Sequence, residues 1–145
     1  MYSALDIARY IINRYAEQDI FISNLKMQKI LYFVQANFLV ETNGKKCFYE
    51  KIEAWSFGPI VPVVYRKYKI YGSSAIPSDL FYNDIDFVAP RDAQLIDEML
   101  DICKDFSATD LVNITHQQKP WKDAFAKGRN TEITSESLID FFGKK

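Results

Sequence analysis

The sequence has few of the residues that build metal sites, disulfide frameworks and phosphate-binding loops. It contains two cysteines, one histidine and five glycines in 145 residues. Cys47 and Cys103 are far apart and belong to no CxxC or Cys/His cluster, so we expect reduced thiols and no metal site. Each glycine stands alone, so the sequence has no glycine-rich loop for the phosphates of a nucleotide. We therefore predict no cofactor.

An excess of charge of one sign and long hydrophobic runs are also lacking. Eighteen basic residues against nineteen acidic ones give a net charge of −1. Because there is neither a basic run nor an acidic tail, nucleic acid is not a favoured partner. Charges interrupt the apolar residues near the N-terminus, and nowhere do eighteen apolar residues follow one another. These features predict a cytoplasmic protein without a membrane partner.

Aromatic residues are what the chain has in abundance, at 15% of the composition. A chain of 145 residues fits one domain, 1–145, with enough apolar surface to form a core without metals or disulfides. The rings serve either a large aromatic core or an aromatic-rich interface, and the core is the favoured interpretation for any single ring.

The periodicity of apolar residues predicts a mainly α fold with six or seven helices. The central helix, residues 24–40, is apolar nearly all round and is capped by Ser23. Two extended segments, 51–56 and 131–134, are expected to pair as at most a two-stranded ribbon lying on the helices. The remaining helix starts are marked by Ser3, Pro90, Ser107 and Pro120, and Ser135 is expected to cap the last helix.

Residues 53–65 are the most informative stretch, because two prolines, a glycine and three aromatic residues surround one chain reversal. Gly58 can adopt a positive φ, and Pro59 fixes φ near −65°. The pattern therefore predicts an extended segment, a tight Gly-Pro turn, and a helix from Pro59 or Pro62 to Tyr71.

His116 and Glu53 are the candidate catalytic residues. A lone histidine can act as a general base near neutral pH, and an acid beside Trp55 can act as its partner, which would make the protein a small hydrolase or transferase. The favoured alternative is structural: His116 ends its helix and bonds a backbone carbonyl or Thr115. For Glu53 the favoured alternative is a salt bridge with Lys51, Arg66 or Lys67.

Two lysines on the central helix lie one turn apart. Lys26 and Lys29 are expected to form a solvated edge of the helix or to contact an acidic partner.

Three blocks of sequence together resemble a known family. They are residues 22–33, residues 52–65 with Trp55, Gly58, Pro59, Pro62 and Tyr65, and the segment containing Leu111, Thr115, His116, Pro120 and Trp121. In order and spacing these blocks resemble the Panacea antitoxin domain, the SocA-like and GepA-like group that is often labelled phage-associated.

The resemblance implies a small cytosolic antitoxin that neutralises a cognate toxin protein by direct contact and has no enzymatic activity. A second mechanism in the same class is an adaptor that delivers its partner to a cellular protease. The residues that carry the resemblance are expected to maintain the scaffold: Ser23, Lys26, Gln28, Lys29, Tyr32, Glu53, Trp55, Gly58, Pro59, Pro62, Tyr65, Thr115, His116, Pro120 and Trp121.

The partner-binding surface is expected in a less patterned part of the chain, because the family pairs with unrelated toxins. The predicted loop 73–87 carries Phe81 and Tyr82, two rings suited to anchor a partner. Alternatively, these rings fold back onto the core. The groove beside Trp55, Tyr65 and His116 is the second candidate surface.

Overall fold

The computed structural model describes residues 1–78 and 87–143. In these ranges the chain forms seven α-helices, one short 3-10 helix and three strands. In chain order they are α1 (Ala4–Ala16), α2 (Asn24–Glu41), β1 (Ile52–Trp55), β2 (Gly58–Ile60), α3 (Pro62–Tyr68), the 3-10 helix Lys69–Tyr71, α4 (Pro90–Cys103), α5 (Ala108–His116), α6 (Lys119–Lys127), β3 (Thr131–Ile133) and α7 (Ser135–Phe142). The predicted mainly α class is confirmed. Within these ranges no helix has the length and apolar character needed to cross a bilayer.

Serine caps set most of the predicted helix starts. The Ser3 and Ser23 hydroxyls accept hydrogen bonds from the first turns of α1 and α2, and Ser107 forms a capping box with Asp110 at the start of α5. The prediction for the last helix is wrong by one residue. Its cap is Thr134, whose hydroxyl accepts from the Ser137 amide, and Ser135 is the first helical residue.

Helix α2 is the centre of the core, as predicted. It packs against α1, α3, α4, α5, α7 and β2, and nearly all of its side chains are buried. Buried polar groups must find partners inside the protein. Gln35 Oε1 accepts from the amides of Cys47 and Phe48, and its Nε2 donates to the Phe48 carbonyl. Because such residues are paired, an almost wholly buried helix is compatible with a stable fold.

The sheet has the order β2-β1-β3, with both pairs antiparallel. The predicted pairing of the two extended segments is confirmed by the register Ile52↔Ile133. The limit of two strands is wrong, because residues assigned to the start of a helix form a third strand, β2, after a two-residue turn. Pro59 fits there because β2 is an edge strand, where a missing amide hydrogen is tolerated.

Helix α3 is shorter than predicted. It begins at Pro62, one of the two predicted starts, and ends at Tyr68, after which the chain tightens into the 3-10 helix that reaches Tyr71. Gly72 follows with a positive φ of 57° and ends the 3-10 helix. The Gly-Pro turn itself belongs to the sheet.

Candidate functional site

The residues that carry the resemblance converge on the turn between β1 and β2. We call residues 55–60 the corner. Two hydrogen bonds join helix α2 to the corner and to the residue that follows it. Lys29 Nζ donates to the Pro59 carbonyl at 2.9 Å, and Gln28 Oε1 accepts from the Val61 amide at 2.8 Å. Gln28 Nε2 in turn donates to Asn24 Oδ1, so both the oxygen and the nitrogen of the amide have a partner. The corner is therefore fixed to the central helix by polar groups inside an apolar core.

Lys29 does not lie on a solvated edge, so that prediction is wrong. Its side chain is 0% exposed, and no carboxylate of the described residues lies within ion-pair distance. Burial lowers the pKa of the Lys29 amine to about 7, because an apolar environment disfavours the charged form. Its Nζ lies 5.9 Å from the centre of the Phe57 ring.

Lys26 is closer to the prediction. It is only partly buried, its Nζ contacts the Lys104 carbonyl at 3.4 Å, and burial lowers its pKa. The two lysines differ in burial because β2 and α5 both cover the side of α2 that carries Lys29.

Gly58 is required by both conformation and space. Its φ is +106°, which side chains rarely adopt, and a Cβ at this position would lie 2.6 Å from Lys29 Cε and 3.1 Å from Thr115 Oγ1. The predicted positive φ is confirmed. The close approach of Lys29 and Thr115 could not be foreseen from the sequence.

The segment joining α5 and α6 covers the other side of the corner. Thr115 is buried and its hydroxyl donates to the Val112 carbonyl. His116 ends α5, as predicted, but it does not bond Thr115; its ring lies 4.2 Å from that of Trp121, at an angle of 31°. Its Nε2 is buried and has no hydrogen-bond partner among the described residues. The imidazole therefore stacks on the Trp121 indole.

Both tryptophans are half-buried, and the nitrogen of each indole donates one hydrogen bond. Trp121 Nε1 donates to the Trp55 carbonyl at 2.8 Å, and Trp55 Nε1 donates to Glu53 Oε1 at 2.9 Å. Because both rings are only partly buried, neither lies wholly in the core, which was the favoured interpretation for a single ring. The expected salt bridge of Glu53 is wrong, since its recorded partner is the Trp55 indole.

Three rings form a cluster on the outer side of the corner. The Trp55 ring lies 5.2 Å from Tyr65 and 5.8 Å from Phe57, with edge-to-face geometry in both pairs. Such pairs contribute about 0.5–1.5 kcal/mol beyond the area they bury. The cluster connects the corner to α3.

Gln118 belongs to this region and was not singled out by the sequence. Tyr32, which is fully buried, donates its hydroxyl to Gln118 Oε1 at 2.7 Å, so α2 also fixes the residue before α6. Pro120 is buried at the second position of that helix. A glutamine in a short connection between helices gives no sequence signal of such a contact.

The candidate catalytic pair is not joined by the structure. Glu53 accepts from an indole, and His116 Nε2 has no partner among the described residues. A general base must reach the proton that it removes, directly or through one water. No group of three potential metal ligands occurs in residues 1–78 and 87–143. The predicted anchors Phe81 and Tyr82 lie outside the described residues.

Replacing Trp121 with alanine should lower the free energy of unfolding by about 2–3 kcal/mol, less than for a fully buried ring. The substitution removes the stack with His116 and Phe125 and the hydrogen bond to the Trp55 carbonyl. Urea unfolding measures the change. Trp121→Phe, which keeps a ring, should lose only about 1 kcal/mol with the hydrogen bond. Equal stability of the alanine variant and the wild type would contradict the structural role.

Comparison with known proteins gives two matches and one negative result. The family described as antitoxin SocA-like, Panacea domain, matches residues 27–122. Antitoxin SocA of Caulobacter vibrioides (strain NA1000 / CB15N) is 36% identical over 137 residues, which cover 88% of this chain and 72% of that protein. No solved structure gives a significant match. The matched range contains the corner and the α5–α6 segment, and the chain belongs to the SocA-like Panacea family.

Proposed function

We propose that this protein is an antitoxin that neutralises a cognate toxin by direct protein–protein contact. The observation that carries the proposal is the family match over residues 27–122, supported by 36% identity to a protein named Antitoxin SocA. The net charge of −1 fits a protein partner better than a nucleic acid, because binding to phosphates depends on an excess of basic residues.

The residues shared with the family serve the scaffold in this proposal. Gln28, Lys29, Tyr32 and Trp121 direct their polar atoms to other parts of the chain, and Gly58 makes the close approach possible. A side chain whose polar atoms are used internally has little capacity left for a partner. A common scaffold that serves different toxins requires such internal contacts.

The toxin-binding surface is proposed to include residues 73–87, with Phe81 and Tyr82 as anchors. The described chain before this segment supports the assignment, because Ile70 is 83% exposed and Tyr71 is 38% exposed. Exposed apolar residues next to a variable segment are typical of an interaction surface. The aromatic cluster beside Trp55 and Tyr65 is the alternative surface.

Coexpression tests the function. Each open reading frame flanking the gene is expressed in a bacterial host alone and together with this protein. We expect one of them to stop growth alone, to permit growth in the presence of this protein, and to copurify with it. If none is both toxic and rescued, the antitoxin proposal fails. A toxin half-life shortened by this protein would assign rescue to delivery to a protease rather than to blocking.

The same assay tests the surface. The double variant Phe81→Ala, Tyr82→Ala should lose rescue and copurification while its unfolding curve stays that of the wild type. Tyr49→Ala is the matched control, because Tyr49 is an exposed ring, 58% accessible, in the connection between α2 and β1. Intact rescue by the double variant would exclude these anchors and direct attention to Trp55 and Tyr65.

A further inference from the structure

We infer that Lys29 and the corner form a proton-dependent switch: neutral Lys29 keeps the corner closed on α2, and protonation favours a state in which β2 moves away and the ammonium reaches water. The inference concerns the free protein and does not depend on the proposed function.

The first argument is the environment of the amine. Among the described residues Lys29 Nζ has one hydrogen-bond partner, the Pro59 carbonyl, although an ammonium group has three hydrogens to donate. A neutral amine needs fewer partners and suits the site better. A buried charge without a counter-ion is among the most unfavourable groups in a protein.

The second argument is the absence of compensating charge on the elements around Lys29. Strand β2 carries no ionisable side chain, and α5 contributes the neutral Thr115, followed by His116. Glu53 on β1 contacts the Trp55 indole, Tyr65 on α3 faces the Phe57 ring, and on α4 Asp97 pairs with Arg14. Burial is accordingly the one cause that shifts the pKa of Lys29, to about 7, where small changes of pH alter its charge.

The third argument identifies the part that must move. The Lys29 stem belongs to the central helix, which is packed on several sides, whereas β2 is the edge strand of a three-stranded sheet. The two residues of the turn that leads into β2 are exposed Ser56 and half-buried Phe57. Because β2 has a sheet neighbour on one side only, its displacement breaks a single strand pairing and uncovers the Lys29 amine.

Nuclear magnetic resonance of the purified full chain tests the switch. The Lys29 Cε and Nζ shifts are followed from acidic to alkaline pH together with the amides of Phe57, Gly58 and Ile60. We expect Lys29 to titrate with a midpoint near 7, where an ordinary lysine titrates near 10.5, and the corner amides to follow the same midpoint. The protection of the corner amides against hydrogen exchange, calculated relative to the intrinsic exchange rate at each pH, should be lower on the acidic side.

Two variants separate the source of the transition. Lys29→Met replaces the amine with an unbranched apolar side chain that is one atom shorter and uncharged, so the corner transition should disappear. His116→Gln should retain it, because histidine also titrates near neutral pH and must be excluded as the cause. A Lys29 midpoint above about 9, or corner amides that stay unchanged while Lys29 titrates, would overturn the inference; both outcomes are read from the wild type alone.

Discussion

Replacing Gly58 with alanine should lower the free energy of unfolding by about 2–5 kcal/mol. A non-glycine residue at a φ of +106° is strained by about 1–3 kcal/mol. The added methyl group would also lie 2.6 Å from Lys29 Cε, and overpacking of a core adds about 1–3 kcal/mol. Chemical denaturation, read from the tryptophan fluorescence, measures the loss.

Gly44→Ala is the matched control for this substitution. Gly44 has a similar φ of +100°, but nothing lies within 4 Å of the position that its Cβ would occupy. It should show the conformational strain without the overpacking. Equal losses at the two positions would mean that Lys29 and Thr115 yield without cost, and the close packing at the corner would then contribute nothing to stability.

Replacing Lys29 with methionine should remove a pH dependence from the stability of the protein. The pKa of the amine is about 7 in the folded chain and 10.5 in an ordinary environment, so between these values the unfolded chain binds more protons than the folded one. Stability then rises with pH, by about 2 kcal/mol from pH 7 to pH 9 for this group alone. Below pH 7 both states are protonated, so this group causes no further change of stability with pH.

The comparison of the two proteins at each pH isolates Lys29. Burial raises the pKa of Cys103 to about 11 and that of Cys47 still further, so these thiols lower the stability of both proteins as the pH approaches 9. At pH 7 the methionine variant should also be more stable, although the Pro59 carbonyl loses its donor at a cost of about 1–3 kcal/mol. Parallel stability curves would show that Lys29 stays charged in the folded protein over the whole range, because the folded and unfolded chains would then bind the same number of protons.

Family membership and the corner geometry are complementary. The family match explains why residues of α2, the corner and the α5–α6 segment occur in one chain. The structure shows what these residues contact: Gln28 bonds to Val61, and Trp121 bonds to Trp55. A toxin-binding surface elsewhere would depend on this scaffold without including it.

The sequence alone determined the features that depend on neighbouring residues. Ser23 and Ser107 cap their helices, α2 is central because it is apolar on every side, and Gly58 adopts a positive φ. Helix caps, periodicity and turn chemistry act over a few residues, so they can be read without knowledge of the fold. The pairing of β1 with β3 could be predicted because the sequence contains two clear extended segments.

Only the tertiary structure decided what each side chain contacts across the fold. Lys29 has the sequence signature of a surface lysine, yet it is buried because β2, thirty positions away, closes over it. His116 stacks on Trp121, and Glu53 accepts from Trp55 instead of a cation. Residues 58–60 became a strand because an edge of β1 was free to pair with them. Local pattern sets which conformations are available, whereas burial and partners depend on distant segments that only the folded chain brings together.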